Sequence, residues 1–443
     1  MDPITIAIGA FVLVFILLAL RVPIAFSMAG VATLAIFLIY ATRTGDWTPS
    51  RAIAPTAAVI QSNFFELIHS YDLSMIPLFL ALGNVAYYAG ITTRIYDAAA
   101  VVLRGVPGGL AVASILGCGG FSAISGSSIA CASTMGRICV PEMLRLGYDR
   151  RLAASSVAMG GTLGSLIPPS ILFILYGIFT ETSVSKLFIA GIIPGLVSLV
   201  GMVLTVVIWV SFNPALAPRA KTGAVSILAA LIKTWPALVL FVVIIGGIYG
   251  GIFTATEAAA VSLVLTIVIG FFQRTLTLGQ TWQSICEALI QSAAIFAIAA
   301  AAKILVALVA LSGVAHVVTD WVTAAQLSWI GMILTVAAIY LVLGMFLDPI
   351  GTMVLTLPFF IPLVSSYDMD LIWFGVVVVK LLEIGLVTPP VGLNVFVVGN
   401  VAKSVPIASI FSGVARFLVL DVVVLLMIIF IPALSIWLPA AVQ

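Results

Sequence analysis

Apolar runs follow one another from Ile4 to Trp437, and the short stretches between them collect most of the charged residues. A helix needs about 17–25 mainly apolar residues to cross the hydrocarbon of a bilayer. On that length, continuous spans are predicted over 4–20, 22–40, 75–90, 187–210, 235–250, 257–272, 285–312 and 406–437. Two further spans are interrupted, because residues 152–180 hold Pro168-Pro169 and residues 371–399 hold Pro389-Pro390. A double proline removes backbone donors and blocks helix continuation, so each is expected as two half-helices with an unwound middle.

Two apolar segments, 107–144 and 329–362, are too long for one span and have polar or glycine-containing centres. These centres are Ser125-Gly126-Ser127-Ser128 and Asp348-Pro349-Ile350-Gly351-Thr352. Their halves suit re-entrant helical hairpins whose tips end inside protein, where irregular backbone is tolerated. The expected fold is an all-α polytopic membrane protein of about ten transmembrane spans plus two re-entrant hairpins. The first run, Ile4 to Leu20, lacks a basic lead-in and a small-residue cleavage site, and reads as a retained span.

Composition supports the pattern: of 443 residues, 63% are hydrophobic and only 8% charged, where soluble domains carry about a quarter charged. A string of soluble domains is excluded, and a net charge of +2 gives no pointer to nucleic acid. Cys118, Cys131, Cys139 and Cys286 form no CxxC pair and lie in apolar stretches, so neither disulfides nor a thiolate metal site is expected.

Charge also orients the chain. Arg94, Arg104, Arg145, Arg150 and Arg151 flank the first hairpin, whereas Asp320, Asp368 and Asp370 flank the second without any Lys or Arg. The positive-inside rule places the base of the first hairpin in the cytoplasm and that of the second outside. Arg21, Arg219, Lys221, Lys233, Arg274 and Lys403 then fall on the cytoplasmic side, and both termini are expected to be periplasmic. Residues 41–74 fall outside despite Arg43 and Arg51, with Asp46, Glu66 and Asp72 leaving the loop slightly negative. They read as an amphipathic arm along the membrane, broken up by Pro49 and Pro55.

An internal repeat runs through this pattern. Gly90 and Asp97 recur as Gly313 and Asp320, 223 positions on; Pro141, Asp149, Gly164, Pro168 and Pro169 recur as Pro362, Asp370, Gly385, Pro389 and Pro390, 221 positions on. Five spans and a hairpin per half make the second half enter the membrane with opposite polarity. Inverted repeats with interrupted helices at matching positions point to a secondary transporter whose site lies near the bilayer midplane.

The residues narrow the chemistry further. Without a GK dipeptide there is no GxxxxGK[ST] loop for ATP, and without GxSxG an intramembrane hydrolase loses its usual nucleophile turn. His69 and His316 lie in peripheral positions, where a lone histidine is usually structural. The hairpin tips and proline breaks instead offer hydroxyl and carbonyl oxygens, ligands for a hard cation. In the first half these are Ser125, Ser127 and Ser128, facing carbonyls near Gly164 to Pro168; in the second, Gly351, Thr352 and Thr388, with Gly392 and Asn394 after the break. Half-helix C-termini direct carbonyls at a cation and N-termini direct amides at an anion, which suggests a cation-coupled carrier for a small anion. Serine and glycine also let membrane helices pack closely, the more ordinary role for any one of them. Asp348, at the second tip, is the foremost intramembrane charge. Lys380 and Glu383 stand three apart and are expected to pair. Lys303, Arg137 and Glu257 fit snorkelling or helix bridging equally well.

The segments GGFSAISGSSIACASTMGRICVPEML (119–144), GYDRRLAASSVAMGGTLGSLIPPSILFILYG (147–177), LFIAGIIPGL (187–196), ATEAAAV (255–261), GMFLDPIGTMVLTLPFFIPL (344–363) and IGLVTPPVGLNVFVV (384–398) resemble, in order, the large membrane subunit of tripartite ATP-independent periplasmic (TRAP) transporters, the DctM type. Cys131 and Cys139 stand where small or aliphatic residues are expected. The resemblance covers essentially the whole chain. It implies a member of the ion transporter superfamily that works as an elevator in the bacterial inner membrane and draws on a sodium gradient. It further implies a small four-helix membrane partner, and a periplasmic binding protein that delivers an organic acid anion and largely sets specificity. No organic cofactor is expected, only sodium as coupling ion. Carried over, one sodium site involves Ser125, Ser127 and the backbone around Gly164 and Pro168, and the other Gly351, Thr352, Thr388 and Gly392. Substrate would lie near Ser125, Ser165, Asp348 and Asn394.

The expected organisation has scaffold helices at 1–40 and 235–272, the arm at 41–74, and a transport domain from 75–180 and 285–399. Residues 187–210 form a connecting span, 211–234 a cytoplasmic connection and 406–437 a last span. The competing readings are a stand-alone sodium/dicarboxylate carrier of the same superfamily and, from another class, an intramembrane enzyme.

Overall fold

The computed structural model describes residues 2–43, 45–218 and 226–442, and these form helices and no strand. Arg219 and Lys221, expected on the cytoplasmic side, lie outside the described residues. Among the described residues seven helical stretches are long and apolar enough to cross a membrane, so the protein is an all-α polytopic membrane protein.

The chain begins with α1 (Pro3–Ala19) and α2 (Ile24–Thr42), reversing at Arg21, which takes a left-handed φ of 65°. The expected arm is a single helix, α3 (Pro49–Ile68), which corrects the expectation that its prolines break it up. Pro49 occupies the first helical position, where a missing N–H costs nothing. Pro55 forfeits one hydrogen bond inside a 20-residue helix, whose face at Ala52 and Thr56 is buried in a helix that packs on α2. Lys303 closes the far end of α3 with an ion pair to Glu66 at 2.6 Å.

Next come α4 (Met75–Tyr88) and the amphipathic α5 (Ile91–Val102), entered through Gly90 at φ 73°. The first hairpin is α6 (Gly109–Ser125) and α7 (Ser128–Arg145). The first interrupted span is α8 (Arg150–Leu166) and α9 (Ile171–Thr180), with residues 167–170 non-helical between them. Then follow α10 (Val184–Phe212), α11 (Ile227–Ile232), and α12 (Trp235–Phe241) with α13 (Gly247–Tyr249). A π-turn at Val242–Gly246 joins these last two, where one unbroken span was expected.

Helix α14 (Ala255–Phe272) opens on a capping box between Thr254 and Glu257. Helix α15 (Leu278–Ser312) starts about two turns before the apolar run expected at 285–312. Reciprocal bonds between Thr277 and Gln280, 3.0 and 3.3 Å long, satisfy its first amides. Helix α16 (Val314–Ala324) follows Gly313 at φ 71°, the repeat mate of Gly90 and α5. Helices α17 (Trp329–Gly344) and α18 (Pro349–Ser366) flank the second turn. The second interrupted span is α19 (Leu371–Gly385) and α20 (Leu393–Val401). The last expected span is two helices, α21 (Ile407–Phe430) and α22 (Ala433–Ala441), because Pro432 holds Ile431 out of the helical region.

The residues divide into two compact units. One comprises 1–73, 292–339 and 350–371; the other comprises 74–291, 340–349 and 372–443. In the first unit Ala7, Val309 and Val314 form a small core, and Phe11 meets Phe359 edge-on at 4.9 Å. The second unit is built around α8, buried at every position from Leu152 to Leu166 and packed by α6, α7, α10, α20 and α21. Its small residues permit this: a Cβ on Gly161 would fall 2.8 Å from that of Ala132 on α7. Cys118, Cys131 and Cys139 are buried free thiols, and Cys286 is a partly buried one.

Candidate functional site

The first hairpin tip rests on the break between α8 and α9. Gly126 ends α6 at φ 64°, a left-handed conformation suited to glycine, and its carbonyl accepts from the Ile171 amide at 3.1 Å. A Cβ there would lie 2.7 Å from the Pro169 carbonyl oxygen, and one on Gly164 would lie 2.7 Å from the Ser127 main chain. Ser127 caps α7, accepting from the Ala130 amide at 3.4 Å. Ser128 donates to the Thr162 carbonyl at 3.1 Å and shares a hydrogen bond with Ser165. Ser170 caps α9, accepting from the Phe173 amide at 3.3 Å, and donates to the Ser165 carbonyl.

Four helix ends therefore meet within a few residues. The C-termini of α6 and α8 bring partial negative charge and carbonyl oxygens; the N-termini of α7 and α9 bring partial positive charge and amides. Such a place suits a cation on one side and an anion on the other. Among the described residues no group of three His, Cys, Asp or Glu side chains could hold a metal ion. The ligands on offer here are hydroxyls and carbonyls, which suit a hard cation and not a transition metal.

Ser125 stands apart from the other two serines. It is 2% exposed, and its Oγ has no hydrogen-bond partner. It lines a cavity of about 290 Å³ together with Asn84, Tyr88, Arg137, Glu287 and Gln291. Tyr88 donates to Glu287 at 2.9 Å across its wall. Gly83 of α4 makes room for this approach, since a Cβ there would lie 2.9 Å from that of Ser125.

In the second half the glycine contact repeats. A Cβ on Gly385, the last residue of α19, would fall 2.9 Å from the Cα of Gly344, the last of α17. The turn holding Asp348, itself half-buried, thus starts against the break between α19 and α20, as Gly164 meets the first tip. Both double prolines have a cis bond between them. Within the second break Thr388 donates to the Ile384 carbonyl at 2.6 Å, and Gly392 enters α20 at φ 56°. Gly351 and Thr352 are buried in the first turn of α18.

Of the substrate candidates, Ser165 is bonded at the first tip, whereas Asn394 donates to Ala158 at 3.4 Å. Ala158 lies two turns before Ser165 on α8, about 10 Å along the helix, so these two side chains do not share one contact. The Asn394 Oδ1 is buried without a partner.

Lys380 and Glu383 pair as expected, at 3.3 Å, but Lys380 also reaches Asp421 at 2.9 Å and Ser198 at 3.1 Å. Asp421 carries a signal that could have found it: it is the one acidic residue within α21, and an intramembrane charge is a functional candidate by default. Glu287 and Arg137 of the cavity carry the same signal.

The glycine contacts give a direct prediction. Gly164→Ala and Gly385→Ala each force a methyl against main chain, an overpacking of about 1–3 kcal/mol. Each is expected to lower the thermal midpoint of the purified protein. Gly136→Ala, whose added carbon would lie 3.7 Å from its nearest neighbour, should leave it unchanged. Equal midpoints for all three would refute the close approach.

A family model described as the tripartite ATP-independent periplasmic transporter, DctM component, matches residues 11–434. The C4-dicarboxylate TRAP transporter large permease protein DctM of Pseudomonas aeruginosa is 36% identical over 85% of this chain and 88% of its own. The isethionate TRAP transporter permease protein DctMQ of Oleidesulfovibrio alaskensis is 31% identical over 98% of this chain, which spans 66% of that protein. The crystal structure of the Alcanivorax borkumensis YdaH transporter shares the fold, with a TM-score of 0.60 at 14% identity over 87% of this chain and 90% of that one.

Proposed function

Since the chain belongs to the DctM family of tripartite ATP-independent periplasmic transporter subunits, a transporter subunit and not an enzyme, we propose that it imports a small organic acid anion driven by a sodium gradient. The observation that carries this reading is the first tip, where two helix C-termini and the unpartnered Ser125 hydroxyl meet at the edge of a polar cavity. Sodium would bind Ser125, Ser127, Ser128 and the backbone of Gly164 and Pro168, with a second ion at Gly351, Thr352, Thr388 and Gly392. Its charge would offset that of the substrate and hold the tip closed on it. Relatives named for a C4-dicarboxylate and for isethionate support a small carboxylate or sulfonate as cargo. Asp348, Ser165 and Asn394 remain substrate candidates, and Arg137, which lines the cavity, supplies the cation that such an anion needs.

The protein would work in the bacterial inner membrane with both termini periplasmic, beside a small membrane subunit, and take substrate from a periplasmic binding protein. Residues 75–180 and 285–399 would move as an elevator against a scaffold from 1–40 and 235–272.

The test is uptake of labelled dicarboxylates and other organic acids into proteoliposomes holding this chain and its small subunit. Sodium gradient and binding protein are each supplied or withheld. Uptake that needs both supports the proposal. Uptake with sodium alone indicates a stand-alone carrier, and uptake indifferent to sodium overturns the coupling. Arg137→Gln is expected to raise KM for the transported acid about tenfold or more, the worth of one charge-assisted hydrogen bond, with an unchanged thermal midpoint. An unchanged KM would remove Arg137 from the site.

A further inference from the structure

Lys380 and Glu383 on α19, Asp421 on α21 and Ser198 on α10 form a cluster that is 0% exposed at every member. The Lys380 ammonium has three donors, and all three are used: Ser198 Oγ at 3.1 Å, Glu383 Oε2 at 3.3 Å and Asp421 Oδ1 at 2.9 Å. Glu383 Oε1 and Asp421 Oδ2 are buried with no hydrogen-bond partner. The α8 main chain at Leu166 approaches Glu383, and among the described residues the charged groups acting on Lys380 and Glu383 are each other and Asp421. One ammonium therefore faces two carboxylates, and fully ionised the cluster would bury an uncompensated negative charge inside the membrane, at high cost.

We propose that this cluster is a proton-binding site, holding one exchangeable proton on the Glu383–Asp421 carboxylate pair. The proton comes from water and adds to one carboxylate oxygen, giving a carboxylic acid and a neutral cluster; no other bond changes. A sodium ion is the poorer occupant, since only two unpartnered oxygens are on offer and the ammonium stands beside them. Because the cluster ties α19, the half-helix leading into the second break, to α10 and α21, losing the proton would leave a buried charge in the last turns of that half-helix, beside the break.

The test uses the purified full-length protein and needs no transport, so its outcome is independent of the cargo or its coupling. Infrared spectra are recorded in H2O and D2O for the wild type, Glu383→Gln and Asp421→Asn. The wild type should show the carbonyl stretch of a buried protonated carboxyl that shifts in D2O. Both variants should lack it, because Lys380 then faces a single carboxylate. Thermal stability across pH is the second readout. Folded wild type binds one proton that the unfolded carboxylates release, so its unfolding equilibrium should move toward unfolding by about tenfold per pH unit as pH rises above the usual carboxylate range. Both variants should lose that slope while folding as well as wild type at neutral pH. A wild-type spectrum without the band, or a band and slope retained in both variants, would overturn the proposal.

Discussion

Lys380→Met is expected to leave little folded protein in the membrane. The substitution keeps a long side chain in place but removes the one cation that, among the described residues, pairs with Glu383 and Asp421, both fully buried. Breaking a buried ion pair from one side costs about 3–5 kcal/mol, a large part of the roughly 5–15 kcal/mol that separates a folded domain from its unfolded chain. The same logic predicts rescue: adding Glu383→Gln and Asp421→Asn to Lys380→Met removes the carboxylates left without a cation and should restore folding. Size-exclusion profiles and thermal midpoints of detergent-extracted protein would measure both effects. A single variant that accumulates and melts like wild type would show that the ammonium is not what makes the carboxylates tolerable.

That cluster also marks where the sequence stops being informative. Lys380 and Glu383 lie one turn apart, so their pairing follows from helix geometry alone. Ser198 and Asp421 lie 182 and 41 positions from Lys380, and no local pattern says that α10 and α21 will deliver them. Helices were legible for the opposite reason. A segment in lipid must satisfy its backbone internally, so apolar length and prolines largely locate the ends, as at Pro432 and the two double prolines. Local chemistry outweighs the apolar pattern at two places: Thr277 and Gln280 start α15 early, and packing on α2 carries α3 through Pro55. The repeat was the most informative long-range signal. Gly164 and Gly385 stand out in the sequence only by their offset of 221, and in the structure each is where a helix end meets a hairpin main chain. Arg137 and Glu287 were legible as charges but not as neighbours, since a cavity between helices is a tertiary property.

Ser125→Ala should shift the sodium dependence of uptake without touching the fold. Its hydroxyl is buried and bonded to nothing, so removing it sacrifices no internal hydrogen bond. A contact between a hydroxyl and an ion is worth about 1.5–3 kcal/mol, which raises the sodium concentration for half-maximal uptake by about tenfold to a hundredfold. Ser127→Ala and Thr352→Ala are expected to abolish uptake or move it in the same direction, but less cleanly. Ser127 caps α7, so its loss also costs about 1 kcal/mol of helix stability; Ser127→Thr, which keeps both the cap and the oxygen, should behave like wild type. The comparison separates two roles that one phenotype would merge. If the hydroxyls only let helices pack, Ser125→Ala would transport normally and Ser127→Ala would fail through stability alone. If they bind the coupling ion, all three alanine variants respond to added sodium, and Ser125→Ala does so at an unchanged thermal midpoint. Unchanged sodium dependence in Ser125→Ala, Ser127→Ala and Thr352→Ala together would remove the cation sites from both hairpin tips.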